Sequence, residues 1–259
     1  MNKENNNLVT LFDNGEHKFI FLGSENKSVE SISTNQYLII HKNEGVLLDP
    51  GGVHVFPRVL ASVVEFIDLG KIKHVFYSHQ DPDVSSGITL WDSVLETNFY
   101  ISKLWERFLP HFGIFEKSRM VTIEDTGGKI KFKDGTQLEI IPAHFLHSTG
   151  NFTLYDPVSK ILFSGDIGVS VFPEGEEKLF VEDFSNHMKY IEGFHKRYMS
   201  SNKACKMWVE LIKKYEIEQM APQHGAIYKK PEFEEFLKWF SNLECGVDIL
   251  DKIYRKNEK

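Results

Sequence analysis

The sequence predicts an α/β sandwich in which two mixed sheets face each other and helices cover the outer faces. Three observations lead there. Short apolar runs closed by Gly, Asn or Pro recur along the 259 residues, as strands punctuated by turns do. Longer runs with apolar residues at 3.6 spacing interrupt them. The order, strands first and helices after, occurs in the first half and again in the second.

In the first half, "HKFIFLG", "NQYLIIHK" and "EGVLLDPGG" read as successive strands. The period changes at "FPRVLASVVEFIDLG" (56–70). Pro57 suits a first helical turn, Val59, Leu60, Val63, Val64 and Ile67 share one face, and Gly70 fits the stop. "KIKHVFY" is the next strand, "SGITLWDSVLE" and "ISKLWERFLPHFG" read as helices, and "SRMVTIED" returns to strand. In the second half, "GKIKFKDGTQLEIIPAHF" reads as a hairpin turning at Asp134-Gly135, and "GNFTLYDPVSKILFSGD" as another turning near 157–160. Helical runs over 184–215, a strand "IEQMAP" and helices opening at Pro231 complete the pattern. One domain over 1–259 is the expected organisation.

Composition excludes several classes. Hydrophobic and charged fractions of 41% and 26% are those of an ordinary globular chain, and 30 basic against 37 acidic residues leave a net charge of −7. No basic cluster is long enough to follow a phosphate backbone, so no nucleic-acid partner is expected. The start, "MNKENNNLVT", has no apolar leader segment, and no apolar stretch approaches the roughly 18 residues a membrane span requires. A cytoplasmic protein without membrane contact is expected. Cys205 and Cys245 are the only cysteines and have no CxxC spacing, so a metal here must be held by His, Asp and Glu.

Such residues gather where strands end. In "SHQDPDV", His79, Asp81 and Asp83 follow an apolar run together. Two carboxylates two residues apart repel each other, and clustering them after a strand costs stability unless a cation lies between. Pro82 pushes Asp81 out of the α region, so the three should fan out from an extended loop and not join a helix. Three more strands run into His147, Asp166 and His224. Taken singly, an Asp beside Gly is a turn residue and a lone His is a core or surface residue; it is the recurrence at four strand ends that points to a site. Asp49 in "LLDPGG" reads as a turn residue, with orientation of a ligand imidazole as the alternative. His144 is a candidate hydrogen-bond partner for a ligand.

His79-x-Asp81-x-Asp83, His147, Asp166 and His224 resemble, in type, order and spacing, the ligand set of the metallo-β-lactamase fold in the variant carried by the flavodiiron proteins. "FLHSTGN" and "YDPVSKILFSGDIG" look like the same family, and the resemblance covers nearly the whole chain. Asp81 stands where the hydrolases of the fold have His and the flavodiiron proteins usually have Glu. The resemblance implies one iron held by His79, Asp81 and His147, another by Asp83 and His224, and Asp166 bridging. This oxygen-rich set suits Fe2+/Fe3+ or Mn over Zn, though Zn can occupy it. Val84 stands where the hydrolases place a further ligand; it cannot coordinate, which implies an open position for O2 or NO and an apolar gas pocket.

Flavodiiron proteins carry a fused flavodoxin-like domain with FMN. The residues after "FLKWFSNLECGVDILDKIYRK" leave no room for one, so no FMN is expected in this chain. Two ferrous ions supply two electrons, enough for a diferric peroxide but half of what reduction of O2 to water takes. The sequence is most similar to stand-alone oxygen-binding diiron proteins, which implies an O2 sensor acting with a chemotaxis receptor or other signalling protein, as a homodimer. Two alternatives stand beside it: an O2 or NO reductase fed by a separate flavodoxin or rubredoxin as electron donor, and a dinuclear hydrolase, against which Asp81 and Val84 both count.

Overall fold

Strands that are apolar on both faces need a packed layer on each side. In the computed structural model, which describes residues 8–24 and 32–255, the chain meets that need with four layers. The first sheet runs β1 (Val9–Asp13), β2 (His17–Ser24), β3 (Asn35–His41), β4 (Glu44–Leu48), β5 (Ile72–Phe76), β6 (Asn98–Ser102) and β7 (Met120–Ile123), each beside the next. The pairing is antiparallel as far as β4 and parallel from there. The second sheet contains β8 (Gly128–Lys131), β9 (Gln137–Pro142), β10 (Phe152–Asp156), β11 (Ile161–Gly165), β12 (Gln219–Pro222) and β13 (Tyr228–Lys229), again each beside the next. Only its β11–β12 pair is parallel.

Parallel neighbours require crossovers, and the crossovers supply the helices. α1 (Phe56–Val64) links β4 to β5; α2 (Pro82–Ser85) and α3 (Ile88–Val94) link β5 to β6. α4 (Phe184–Tyr198) and α5 (Asn202–Ile212) link β11 to β12, and α6 (Lys230–Ser241) and α7 (Leu250–Tyr254) follow β13. Alternation along each strand divides the core. On β3, Tyr37 and Ile39 join the cluster between the sheets while Leu38 joins the one under α1 and α3. On β11, Ile161 and Phe163 face the middle, and Leu162 packs with Trp208 and Phe236 under the second helical layer. This is the metallo-β-lactamase-like αββα arrangement.

Some sequence expectations change. "ISKLWERFLPHFG" is not one helix: Ile101 and Ser102 end β6, and Lys103–Phe112 wind as 3-10 turns that contain Pro110 and stop at left-handed Gly113. A proline inside the run removes a backbone donor, so an α-helical ladder cannot continue through it. Asp81 is extended as expected (φ −61°, ψ 150°), but Pro82 begins a helical turn in which Asp83 and Val84 take part. Proline disfavours helix only for the residue before it and is well suited to the first helical position. The run over 184–215 breaks at Met199–Ser201, where the Ser201 side chain accepts from Ala204 N and starts α5. No helix among the described residues is long and apolar enough to cross a membrane. Residues 1–7, on which the expectation of no leader rests, lie outside the described residues.

Phe163 is fully buried in the middle layer, with its ring 5.5 Å from Tyr37 and 6.3 Å from Phe76, both on the opposite sheet. Phe163→Ala should cost about 3–5 kcal/mol. Urea unfolding checks this: the midpoint should fall with the slope unchanged, and a loss under about 1 kcal/mol would mean that this ring does not join the sheets.

Candidate metal centre

Backbone hydrogen bonds at one edge of the sandwich bring the strand ends together. Phe152 N donates to Ser78 O (3.0 Å), joining the exit of β5 to the start of β10, and Gln223 N donates to Gly165 O (2.8 Å). Across the sheets, the Tyr37 hydroxyl donates to Pro222 O (2.8 Å), and the Asn35 amide donates to Pro222 O and Gly225 O. Gly165 is needed at this junction. It has φ +55°, and a Cβ there would lie 2.9 Å from Ser78 Oγ.

All six predicted ligands reach this edge. His79 lies three residues after the last paired position of β5, Asp81 precedes α2, and Asp83 lies within it. His147 is on the loop between β9 and β10, Asp166 directly follows β11, and His224 follows β12. The Asp166 carboxylate divides them into two sets. Its Oδ2 lies 3.3 Å from His147 Nε2 and 3.9 Å from His79 Nε2, while Asp81 Oδ2 lies 3.2 and 3.8 Å from the same two nitrogens. Its Oδ1 faces His224 Nε2 at 3.5 Å, and His224 Nε2 is 3.1 Å from Asp83 Oδ2. His79, Asp81 and His147 offer ligand atoms all within 4.8 Å of one another.

Electrostatics show how the cluster stands without cations. Burial lowers the His79 pKa, and for His79 that effect prevails over the nearby carboxylates. For His147 and His224, burial acts the same way but the carboxylates of Asp81 and Asp83 that face them outweigh it, and His224 rises to about 9. Asp81 and Asp83 are lowered despite burial, by those same imidazoles. The pairs agree in direction, so protons on His147 and His224 offset part of the carboxylate charge. The compensation is incomplete: His79 Nε2, His147 Nε2 and Asp166 Oδ1 are buried, and although oppositely charged atoms stand 3.2–3.9 Å away none of the three completes a well-directed hydrogen bond. Buried polar atoms without partners are costly. Here they converge on one place, and three imidazoles with three carboxylates form a donor set that fits iron.

A second tier of residues orients the ligands, and most of it escaped sequence reasoning. Asp49, expected to be a turn residue, is fully buried and accepts from Ser78 N (2.7 Å) and Ser78 Oγ (2.5 Å). Ser78 Oγ in turn lies 2.9 Å from His79 Nδ1. His224 Nδ1 donates to Ser33 O (2.8 Å), which leaves Nε2 unprotonated when that imidazole is neutral. Gln80 donates to Asp81 Oδ1 (3.1 Å) and accepts from Ser148 Oγ (2.8 Å). His195 of α4 is buried and accepts from Gly168 N (3.0 Å), fixing the turn after Asp166.

Two expected contributors lie elsewhere. His144 bonds to Asp125 O (2.7 Å) and accepts from Gly150 N (3.2 Å), so it braces the His147 loop from outside and meets no ligand. Val84 is fully buried in the apolar cluster under α1 and α3, packs with that core and supplies no donor atom.

The chain can now be set beside known proteins. Residues 32–225 match the family model described as ODP family beta lactamase. Two solved structures of the chemotaxis sensor ODP, one a peroxy diiron species and the other the apo state from T. denticola, are 48% and 49% identical. Each gives a TM-score of 0.85 and covers 95% of this chain and 99% of the other. A flavo di-iron protein mutant from Thermotoga maritima is 20% identical with a TM-score of 0.72, over 90% of this chain and 60% of that one, a likeness of fold. An uncharacterized protein from Methanocaldococcus jannaschii is 26% identical over 234 residues, 87% of this chain; the chain spans 58% of that relative's length. By the extent of the family match and its agreement with the αββα fold, the chain belongs to the ODP family of beta lactamases.

Proposed function

We propose that the chain holds two iron ions, binds O2 at them, and reports oxygen to a signalling partner. The observation that carries the reading is the division of Asp166 between two His/Asp sets, with buried imidazole nitrogens and one carboxylate oxygen left unpartnered among them. The similarity to the chemotaxis sensor ODP at 48–49% identity supports it. The partner would be a chemotaxis receptor or another signalling protein in the cytoplasm, and the active form a homodimer.

In this reading His79, Asp81 and His147 hold one ion, Asp83 and His224 the other, and Asp166 joins them. Ferrous ions there supply the electrons that O2 binding draws on. The protein's part is to place and orient donors. Burial pushes the Asp49 carboxyl up to about 8, and the charges of Asp166 and Asp83 add to the effect. Cations in the cluster would offset those charges and favour the carboxylate. Ser78 would then donate to Asp49 and accept from His79 Nδ1, presenting the Nε2 lone pair to the site. Val84 gives the second set no further ligand.

Anaerobic titration should give two Fe(II) per chain, and O2 should then produce a long-lived visible absorption. Asp166→Ala should lose at least one equivalent and the absorption; retention of both by the variant, or fewer than two ions in the wild type, would sink the reading. Asp49→Ala should weaken iron binding about 10–100-fold through loss of orientation. An unchanged affinity would return Asp49 to a purely local role. Iron must also displace the His224 proton, whose pKa is raised to about 9. The charged form persists below that value, so apparent affinity should rise with pH towards 9, with proton release measurable in weakly buffered solution.

A further inference from the structure

We propose that a small apolar cavity beside His79 is a holding site for a diatomic gas on its way to the metal cluster; the inference rests on the O2-binding reading above. The cavity has a volume of about 30 Å³. Its walls are apolar for the most part, from Ile88 of α3, Ile101 of β6, and Leu109 and Phe112 of the 3-10 turns. A space of that size exceeds the roughly 10–15 Å³ that one water needs and suits a single small guest such as a diatomic gas.

The lining favours an apolar guest. A buried water makes about three hydrogen bonds, whereas apolar cavities stay dry and accept gases such as xenon. Most polar groups on this wall are already engaged. Ser85 Oγ donates to Gln80 O (2.8 Å), the Gln80 amide is held by Asp81 and Ser148, and Trp105 Nε1 donates to Thr149 O (3.0 Å). His79 Nε2 belongs to the metal cluster. The hydroxyls of Tyr77 and Ser102 remain, and Ser102 Oγ already accepts from Leu104 N (3.3 Å). Two hydroxyls fall short of what usually retains a water.

Position gives the cavity its meaning. His79 is at once a wall of the cavity and a member of the cluster, and Gln80 both lines the cavity and bonds Asp81. A guest is therefore one side chain from the ligand set. On the other side the half-buried Trp105 and Phe112 form the mouth. The Trp105 bond to Thr149 pins that mouth to the loop that carries His147. Gly150 permits the close approach, since a Cβ there would lie 2.9 Å from Trp105 Nε1 and 2.5 Å from Ser102 Oγ. The geometry thus describes a short apolar passage ending behind His79, with Gln80 as its inner gate.

Crystals of the iron-free protein under xenon pressure should show an anomalous peak in this cavity. An empty cavity, or an ordered water that xenon does not displace, overturns the proposal. In stopped-flow mixing of iron-loaded protein with O2, Ile88→Phe should fill the space and slow association at least tenfold, while Leu109→Ala should not slow it. Association at the wild-type rate in an Ile88→Phe variant that no longer takes up xenon also overturns it. Should Ile88→Phe fail to fold, wild-type association under xenon is the substitute; it should slow as the cavity fills, and an unchanged rate counts against the passage. A wild-type protein that takes up xenon but gives no absorption change with O2 would refute the O2-binding reading while leaving the gas cavity in place.

Discussion

The Asp166 carboxylate is the contact on which the site depends, because its two oxygens face different His/Asp sets and its position is set by the second sheet alone. The remaining members come from both sheets: His79, Asp81 and Asp83 from the exit of β5, His147 and His224 from the exits of β9 and β12. Their spacing therefore depends on how firmly the two sheets are fixed at this edge. Gln223 N to Gly165 O ties β11 to β12, Phe152 N to Ser78 O ties β10 to β5, and Tyr37 reaches across to Pro222 O. Each bond leaves the chain within two residues of a ligand or of its support. The apolar middle layer then acts as a spacer that fixes the distance between the ligands that the two sheets contribute to each set.

The candidate ligands were legible in the sequence because a charged or imidazole side chain follows an apolar strand at four separate places, a recurrence that turn chemistry at any one of them does not explain. The supports were not legible, because they obey local rules. "LLDPGG" has the composition of a turn, and Asp49 does have a left-handed φ of 38°, as a turn residue would. Only the register of β4 against β5 reveals that the same carboxylate meets Ser78, 29 residues away in the chain. His195 likewise sits on an ordinary amphipathic helix, and its bond to Gly168 spans 27 residues. β6 was missed for a related reason: "NFYIS" runs without punctuation into apolar residues at helical spacing, and the parallel neighbours that make it a strand are distant in sequence.

Pro82 shows a subtler limit. Its effect on Asp81 was readable, since the restriction acts on the preceding residue. The turn it starts was not, because four residues carry too little periodicity to announce a helix. The outcome places Asp81 before the helix and Asp83 inside it, so that neighbouring carboxylates point to different halves of the cluster. One serves the set with His147 and the other the set with His224. Two carboxylates two residues apart are thereby separated in role, which is what makes their proximity in sequence tolerable.

A second His/Asp cluster at the opposite end of the sandwich clarifies why the first calls for metal. There His17 Nε2 lies 2.7 Å from Asp156 Oδ2, His41 Nε2 lies 2.8 Å from Asp134 Oδ2, and the two Nδ1 atoms are 3.1 Å apart. Each Nε2 faces its carboxylate, the Nδ1 atoms face each other, and Lys42 Nζ adds a contact of 3.1 Å to Asp134 Oδ2. Every ring nitrogen there has a partner. At the Asp166 edge the same residue types leave buried nitrogens unpartnered, and three carboxylates face two raised imidazoles. The first arrangement pairs each of its ring nitrogens and the second does not, so it is the unmatched buried atoms, and not the mere presence of His and Asp, that distinguish a site for cations from a clamp between sheets.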